Sequence, residues 1–339
     1  MSTVPAAVLA LVVSRIGDTL LCTPALRALK ETWPECRLTV MAHPGRLPLL
    51  AGLPWIDVLL PWRPWRRWAA MLPGAASYDL AVVFHPDRRQ LDFACRSARR
   101  VVAEAAPGVG ASERLLLPAL PPEPMVAVEQ RLRLVRAAGA DSGDQRLAYA
   151  VSAEERQAAQ ARLAALGVAG HHPLVALQLK SFPTKAHRDW PAESFAGLVG
   201  KLAGRYPGAR FIVTGDAQSA ADAARLGERY PGRVASLAGQ CGLRETAAVL
   251  AETDLYVGVD TGPTHLAGAL GIPMVALYHA AYPGRYLAPR QHPRCRVIEH
   301  PRSGAADARQ ASMAEIPVDT VLLAAEELLA AGRPDGGSP

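Results

Sequence analysis

The sequence predicts an α/β protein made of two successive parallel-sheet domains. Three observations carry this. Apolar runs of strand length alternate with helical patterns almost throughout, which is the signature of parallel β-α-β units. The rhythm breaks once, between Pro107 and Gly170, and then restarts. The chain has 339 residues, enough for two ordinary domains that each bury a core.

In the first half, AVLALVV (Ala7 to Val13) reads as a buried strand. A loop, SRIGD, leads from it into a helix on which Leu20, Leu21, Ala25, Leu26 and Leu29 share a face. RLTVMA (Arg37 to Ala42), IDVLLP (Ile56 to Pro61) and DLAVVF (Asp79 to Phe84) are the next strands, and RRQLDFACRSARR (Arg88 to Arg100) reads as a basic helix. These make one doubly wound domain over residues 1–150. Two helices follow the break. The second opens with Ser152 and Glu155 at capping-box spacing and stops before Gly167, so residues 151–172 read as a connection between domains.

The second domain, residues 173–317, begins with strand PLVALQL, helix PAESFAGLVGKLAGR, strand ARFIVTG and helix AQSAADAARLGERY. Short strand VASLA, helix LRETAAVLAE, strand LYVGV, helix PTHLAGAL and strand IPMVALY complete it. A last helix over 318–332, VDTVLLAAEELLAAG, is expected to pack back onto the first domain.

A half-hydrophobic composition with one-fifth charged residues fits a soluble globular protein, and no apolar run reaches about 20 residues, the length of a membrane span. The amino terminus resembles a signal peptide only superficially, since it lacks a basic leading region and runs straight into patterned sequence. Five cysteines without a C-x-x-C pair suggest neither a disulfide framework nor a zinc site, so a cytoplasmic location is expected. A formal charge of +6 favours acidic partners. No recognised nucleic-acid module appears, SRIGDT lacks the G-x-G-x-x-G of a dinucleotide site, and there is no G-K-[ST] phosphate loop.

Asp260-Thr261-Gly262 and Asp141-Ser142-Gly143 both match the tripeptide of aspartic proteases. The first, however, follows strand LYVGV and precedes Pro263 and an apolar helical pattern ending at Gly271, so it is a strand-to-helix turn. The second lies in the polar stretch AGADSGDQ and reads as a surface turn. A turn at the carboxyl end of a parallel sheet, with free amides at a helix start, attracts phosphate; an Asp that simply caps the helix is the alternative.

Three segments in order, SRIGDTLLCTPALRALKETWP, HRDWPAESFAGLV and LYVGVDTGPTHLAGALGIPMVALY, resemble glycosyltransferase family 9, the heptosyltransferases of lipopolysaccharide core assembly. The resemblance implies a GT-B fold, two Rossmann-like domains facing across a cleft, with acceptor in the first and donor in the second. It implies an inverting transfer from a nucleotide diphosphate sugar, ADP-heptose by default, with no cofactor and no metal. Asp18 falls on the family's catalytic aspartate, where a carboxylate takes the acceptor hydroxyl's proton; taken alone, an Asp beginning a helix is more often a cap. Arg188 stands where the family has lysine, two residues before Trp190-Pro191, and Lys185 lies close by. Asp260, Thr261, Gly262 and His265 match the donor turn. The ribose-binding acid aligns on Ser219, with Asp216 or Asp222 as substitutes, and the base falls near Cys241.

PWRPWRRW (Pro61 to Trp68) resembles the Arg-rich segment with which family members hold an acidic Kdo-lipid A acceptor, so Arg63, Arg66 and Arg67 are expected to bind acceptor. The interleaved tryptophans suit peripheral contact with the cytoplasmic face of the inner membrane. A solvated loop is the plainer alternative. Two other functions stay open: a relative moving another activated sugar to a different glycan or secondary-metabolite acceptor, or a catalytically silent sugar-nucleotide-binding protein.

Overall fold

The apolar runs form the middles of two parallel sheets in a computed structural model, which describes residues 4–63, 77–105, 110–119 and 123–332. The chain divides into two units, Met1–Ala150 and Val151–Pro339.

The first unit contains, in order, β1 (Ala7–Val12), α1 (Ile16–Leu21), α2 (Thr23–Thr32), β2 (Arg37–Ala42), α3 (Leu47–Leu50), β3 (Val58–Pro61), β4 (Tyr78–Phe84), α4 (Arg88–Ser97), β5 (Ala98–Ala103), β6 (Leu115–Leu116) and α5 (Ala127–Ala138). Its sheet has the order β3-β2-β1-β4-β5-β6, with every pair parallel. Val8 pairs with Leu38 on one side and Leu80 on the other, which buries β1 completely from Val8 onward.

The second unit contains α6 (Ala153–Ala165), β7 (Leu174–Gln178), α7 (Ala192–Arg205), β8 (Arg210–Thr214), α8 (Ala220–Arg229), β9 (Val234–Ser236), α9 (Leu243–Ala251), β10 (Leu255–Val259), α10 (Gly262–Ala269), β11 (Met274–Tyr278), α11 (Gly284–Leu287), β12 (Cys295–Glu299) and α12 (Val318–Ala330). Its sheet runs β12-β11-β10-β7-β8-β9, again all parallel. The strand order reverses between β1 and β4 in one sheet and between β7 and β10 in the other. At such a point consecutive loops leave towards opposite faces and open a crevice at the carboxyl ends of the strands.

Several local expectations change. The single helix expected after SRIGD is two, α1 and α2, because Pro24 has no N–H for the Leu20 carbonyl. The Thr23 hydroxyl donates to that carbonyl instead, at 2.7 Å. The basic helix of Arg88 to Arg100 ends at Ser97, and Arg99 and Arg100 lie in β5, where the β-branched pair Val101 and Val102 favours a strand. The edge strand β12 was not expected at all. Half-exposed and interrupted by Arg296 and Glu299, it has no continuous apolar run to reveal it.

The connecting helix α6 has its capping box, with Glu155 N donating to Ser152 Oγ and Ser152 N donating to Glu155 Oε2. It belongs to the second unit, because Ala159 and Leu163 pack with Leu174, Ile212 and Ala248. The final helix α12 likewise buries its face in the second unit's own core. Val321, Ala324, Ala325 and Leu328, at helical spacing, join Phe195, Leu198 and Leu202 of α7 and Val275 and Leu277 of β11.

One glycine in β10 serves the site directly. Tyr256 and Gly258 share a sheet face, and the Tyr256 ring runs over Gly258 so that its hydroxyl reaches Thr264 Oγ1, 2.9 Å away in the first turn of α10. A Cβ at Gly258 meets the Tyr256 hydroxyl at 2.4 Å and Gln178 Cβ at 2.8 Å. Gly258→Ala is therefore expected to destabilise the second unit by about 1–3 kcal/mol, measured by urea denaturation, through overpacking.

Candidate active site

The loops at the two reversal points gather most of the unusual polar residues. After β1, Asp18 is the third residue of α1, and Arg15 at the N-cap makes no side-chain capping bond. Asp18 is therefore not the cap. Its Oδ1 lies 3.6 Å from Arg131 Nη2 and 3.7 Å from His85 Nε2. His85 is the first residue after β4, the strand beside β1, so sheet order brings these loops together. Arg131, on α5, is 4% exposed; its Nη1 donates to Glu104 Oε1 at 2.9 Å and to Gln130 Oε1 at 3.1 Å, and Nη2 meets His85 Nε2. Burial, and next the Arg131 charge, hold the His85 imidazole below its ordinary pKa, so it is neutral at physiological pH. Burial pushes the Cys22 thiol up to about 12, and as a thiol it donates to the Asp18 carbonyl at 3.2 Å.

In the second unit the loop after β7 carries Arg188 against the turn after β10. Arg188 and Asp260 are each 7% exposed, and Arg188 Nη1 donates to Asp260 Oδ2 at 2.6 Å. The Arg188 guanidinium carbon lies 3.5 Å from the centroid of Tyr282, a close cation–π contact, while Arg188 Nε is buried without a hydrogen-bond partner among the described residues. The loop is rigidly built: Asp189 Oδ1 accepts from Ser181 N at 2.6 Å, and Trp190 Nε1 donates to Ile316 O at 3.1 Å. Lys185 lies half-buried on the same turn. Thr261 is the N-cap of α10, in extended backbone, and Gly262 opens the helix with Pro263 next, so Asp260 does not cap α10 either.

His265 faces backbone with both ring nitrogens, Nδ1 towards Thr261 O at 3.0 Å and Nε2 towards Leu287 O at 3.1 Å. This fixes α10 to the carboxyl end of α11, and it gives His265 a structural duty that its sequence spacing did not disclose. Ser219 is fully buried, with Oγ unpartnered among the described residues. Asp222 accepts from Lys180 Nζ at 2.7 Å and Arg225 Nη1 at 3.0 Å. Asp216 caps the turn before α8 by accepting from Gln218 N. Cys241 is half-buried beside the α6 and α9 cluster, and burial raises its pKa.

Of the acceptor residues, Arg63 is exposed and follows Trp62, which packs edge-on to Phe93 of α4 at 5.2 Å; Arg66 and Arg67 lie outside the described residues. The protease alternative ends here. Asp260 is engaged by Arg188, and Asp141 accepts from Arg136 Nε and Ser142 N in a surface turn, so neither shares a proton with a second carboxylate.

The family model for glycosyltransferase family 9 (heptosyltransferase) matches residues 117–313, more than half of the chain. The chain belongs to glycosyltransferase family 9. Lipopolysaccharide heptosyltransferase 3 of Escherichia coli strain K12 is 22% identical over 292 residues, covering 78% of this chain and 80% of that protein. A family 9 glycosyltransferase from Veillonella parvula superposes with a TM-score of 0.81 at 20% identity, over 96% of this chain and 98% of that one. E. coli ADP-heptose lipopolysaccharide heptosyltransferase II gives a TM-score of 0.75 at 21% identity, over 96% and 99%. The two parallel units are thus those of a GT-B glycosyltransferase. In this transferase no helix among the described residues is long and apolar enough to cross a membrane, and no group of three His, Cys, Asp or Glu among them is placed to hold a metal ion.

The sequence missed His85, Glu104, Arg131, Lys180 and Tyr282. Two left a signal. His85 directly follows a buried strand at its carboxyl end, and Arg131 shares a helical face with Val128, Leu132 and Val135, where an arginine is out of place unless it has a polar task.

Proposed function

We propose that this glycosyltransferase moves heptose from ADP-heptose to an acidic, Kdo-lipid A type acceptor of the lipopolysaccharide core, with inversion and without a metal. The donor assignment is supported by a solved heptosyltransferase from E. coli that holds ADP, similar in fold to this chain (TM-score 0.69) at 22% identity. Asp18 takes the proton from the acceptor hydroxyl as its oxygen attacks the anomeric carbon. The bond to the diphosphate breaks on the opposite side, and the nucleotide leaves with the electron pair. Arg188, assisted by Lys185 and by the free amides at Thr261 and Gly262, neutralises the growing charge. The observation that carries this most directly is Arg188 itself: a buried cation at the sheet's reversal point, with an unpartnered Nε beside a helix amino terminus.

In this reading the first unit serves the acceptor, with Arg63, Arg66 and Arg67 binding its acidic groups, and the protein works in the cytoplasm with peripheral contact to the inner membrane. Cys241 lies near the base and Ser219 or Asp222 near the ribose.

One observation favours a second reading, a related transferase with a different activated sugar. Ser219 is sealed from solvent and Asp222 is engaged by two cations, so neither offers a free carboxylate to a ribose diol. Calorimetric titration with ADP-, UDP- and GDP-sugars decides between them. ADP-heptose is expected to bind and, with a Kdo-lipid A acceptor, to give a product heavier by one heptose in the mass spectrum. Binding and turnover of a UDP- or GDP-sugar alone establishes the second reading, and binding without turnover of any acceptor leaves a silent binding protein.

A further inference from the structure

We propose that Arg131 is a positioning residue for the Asp18 carboxylate, and that the same guanidinium locks His85 in the neutral tautomer with its hydrogen on Nδ1. This role rests on the reading of Asp18 as general base.

Arginine only donates, so the nitrogen of His85 that meets Arg131 Nη2 must be an acceptor, and that nitrogen is Nε2. The ring hydrogen is thereby assigned to Nδ1, which is buried and has no hydrogen-bond partner among the described residues. His85 is held there at backbone cost. Its φ is +53°, a left-handed conformation that a non-glycine residue keeps only when its surroundings enforce it. The enforcing group is itself held, since Arg131 is 4% exposed and clamped by Glu104 Oε1 and Gln130 Oε1. One rigid guanidinium therefore sets the position of two groups, with Nη2 meeting His85 Nε2 and facing Asp18 Oδ1. Arg131 alone attracts Asp18 Oδ1, at 3.6 Å, because His85 Nε2, 3.7 Å away, presents a lone pair in this tautomer; Oδ2 is unengaged by the described residues. A carboxylate attracted through one oxygen by a clamped cation presents the other towards a hydroxyl, as a base must to come within hydrogen-bond reach. The charged and titratable groups around His85 are Asp18 on α1, Glu104 after β5, Arg131 on α5, and the nearby thiol of Cys22.

The test has a spectroscopic and a kinetic arm on the full chain. In nitrogen-resolved imidazole NMR, one histidine of the wild type is expected as the Nδ1–H tautomer at pH 7, assigned by its absence in His85→Gln. Arg131→Met is expected to mix the tautomers and raise that histidine's titration point, because a neighbouring positive charge is removed. A wild-type His85 found as Nε2–H or as imidazolium overturns the proposal, whatever the substrate proves to be. In turnover, Arg131→Met is expected to lower kcat about 100-fold with the donor KM nearly unchanged, and Arg131→Lys to restore part of it. In an Asp18→Asn background the same change should cost little more, as for residues acting as a unit; an equal further loss shows that Arg131 acts independently and refutes the positioning role. Should Arg131→Met strand Glu104 and prevent folding, Arg131→Met with Glu104→Gln removes both partners and carries the same expectations. If Asp18→Asn alone keeps its turnover, the base assignment has failed, and the NMR arm still decides the His85 tautomer.

Discussion

Asp18→Asn is expected to lower kcat by about 100- to 10,000-fold and to leave the affinity for the nucleotide-sugar donor close to wild type, the range for removal of a general base. Asparagine suits the test because it keeps the shape of the side chain. Its amide oxygen can still accept from the Arg131 guanidinium, and Arg131 retains Glu104 as a partner, so the pocket keeps its charge clamp. The carboxylate's capacity to take a proton disappears, together with its negative charge. Asp18 is half-buried in the first turn of a short helix and caps nothing, so little stability is attached to its charge. Calorimetry with donor and steady-state kinetics with acceptor give the two readouts, and thermal denaturation confirms the fold. Retained turnover in a folded Asp18→Asn protein removes Asp18 as the base. A large loss of donor affinity in parallel assigns it to binding instead.

How far the sequence revealed this arrangement depends on which physical signal each part leaves. The central strands were legible because β1, β4, β7, β10 and β11 are apolar runs buried in the middle of a parallel sheet. Edge strands β6 and β12 are short or half-exposed, and they leave no comparable run. The α1–α2 break was concealed because both helices keep one apolar face across Pro24, while the carbonyl it orphans is satisfied by a hydroxyl no pattern predicts. At the sites, Asp18, Arg188 and Asp260 stood in recognisable local motifs. Their partners did not, since His85, Glu104 and Arg131 are scattered over three elements and meet only through the strand order β2-β1-β4-β5. Tyr282 reaches Arg188 in the same non-local way. Contacts of this kind follow from topology, and the identity of the reversal point was the missing step between the alternating pattern and the pocket.

Arg188→Ala is expected to weaken donor binding by about 100-fold or more and to unsettle the second unit, two effects that separate only when Asp260 is changed as well. Removing one member of a buried ion pair leaves the other desolvated and unpaired, which typically costs about 3–5 kcal/mol, whereas replacing both members is often nearly neutral. Arg188 and Asp260 fit that case, each 7% exposed with 2.6 Å between Nη1 and Oδ2. Urea denaturation should therefore show Arg188→Met and Asp260→Asn each destabilised, and the double variant close to wild type. Donor affinity should follow a different order. Asp260→Asn keeps the cation and the Tyr282 stack and should retain measurable ADP binding, while the double variant, though stable, should lose it, since no fork remains to meet the diphosphate. Arg188→Lys, which keeps the charge and loses the planar fork, should bind ADP more weakly than wild type because a point donor cannot hold Asp260, stack on Tyr282 and meet the diphosphate at once. Wild-type ADP affinity in the stable double variant transfers the diphosphate to Lys185 and leaves Arg188 with a purely structural role.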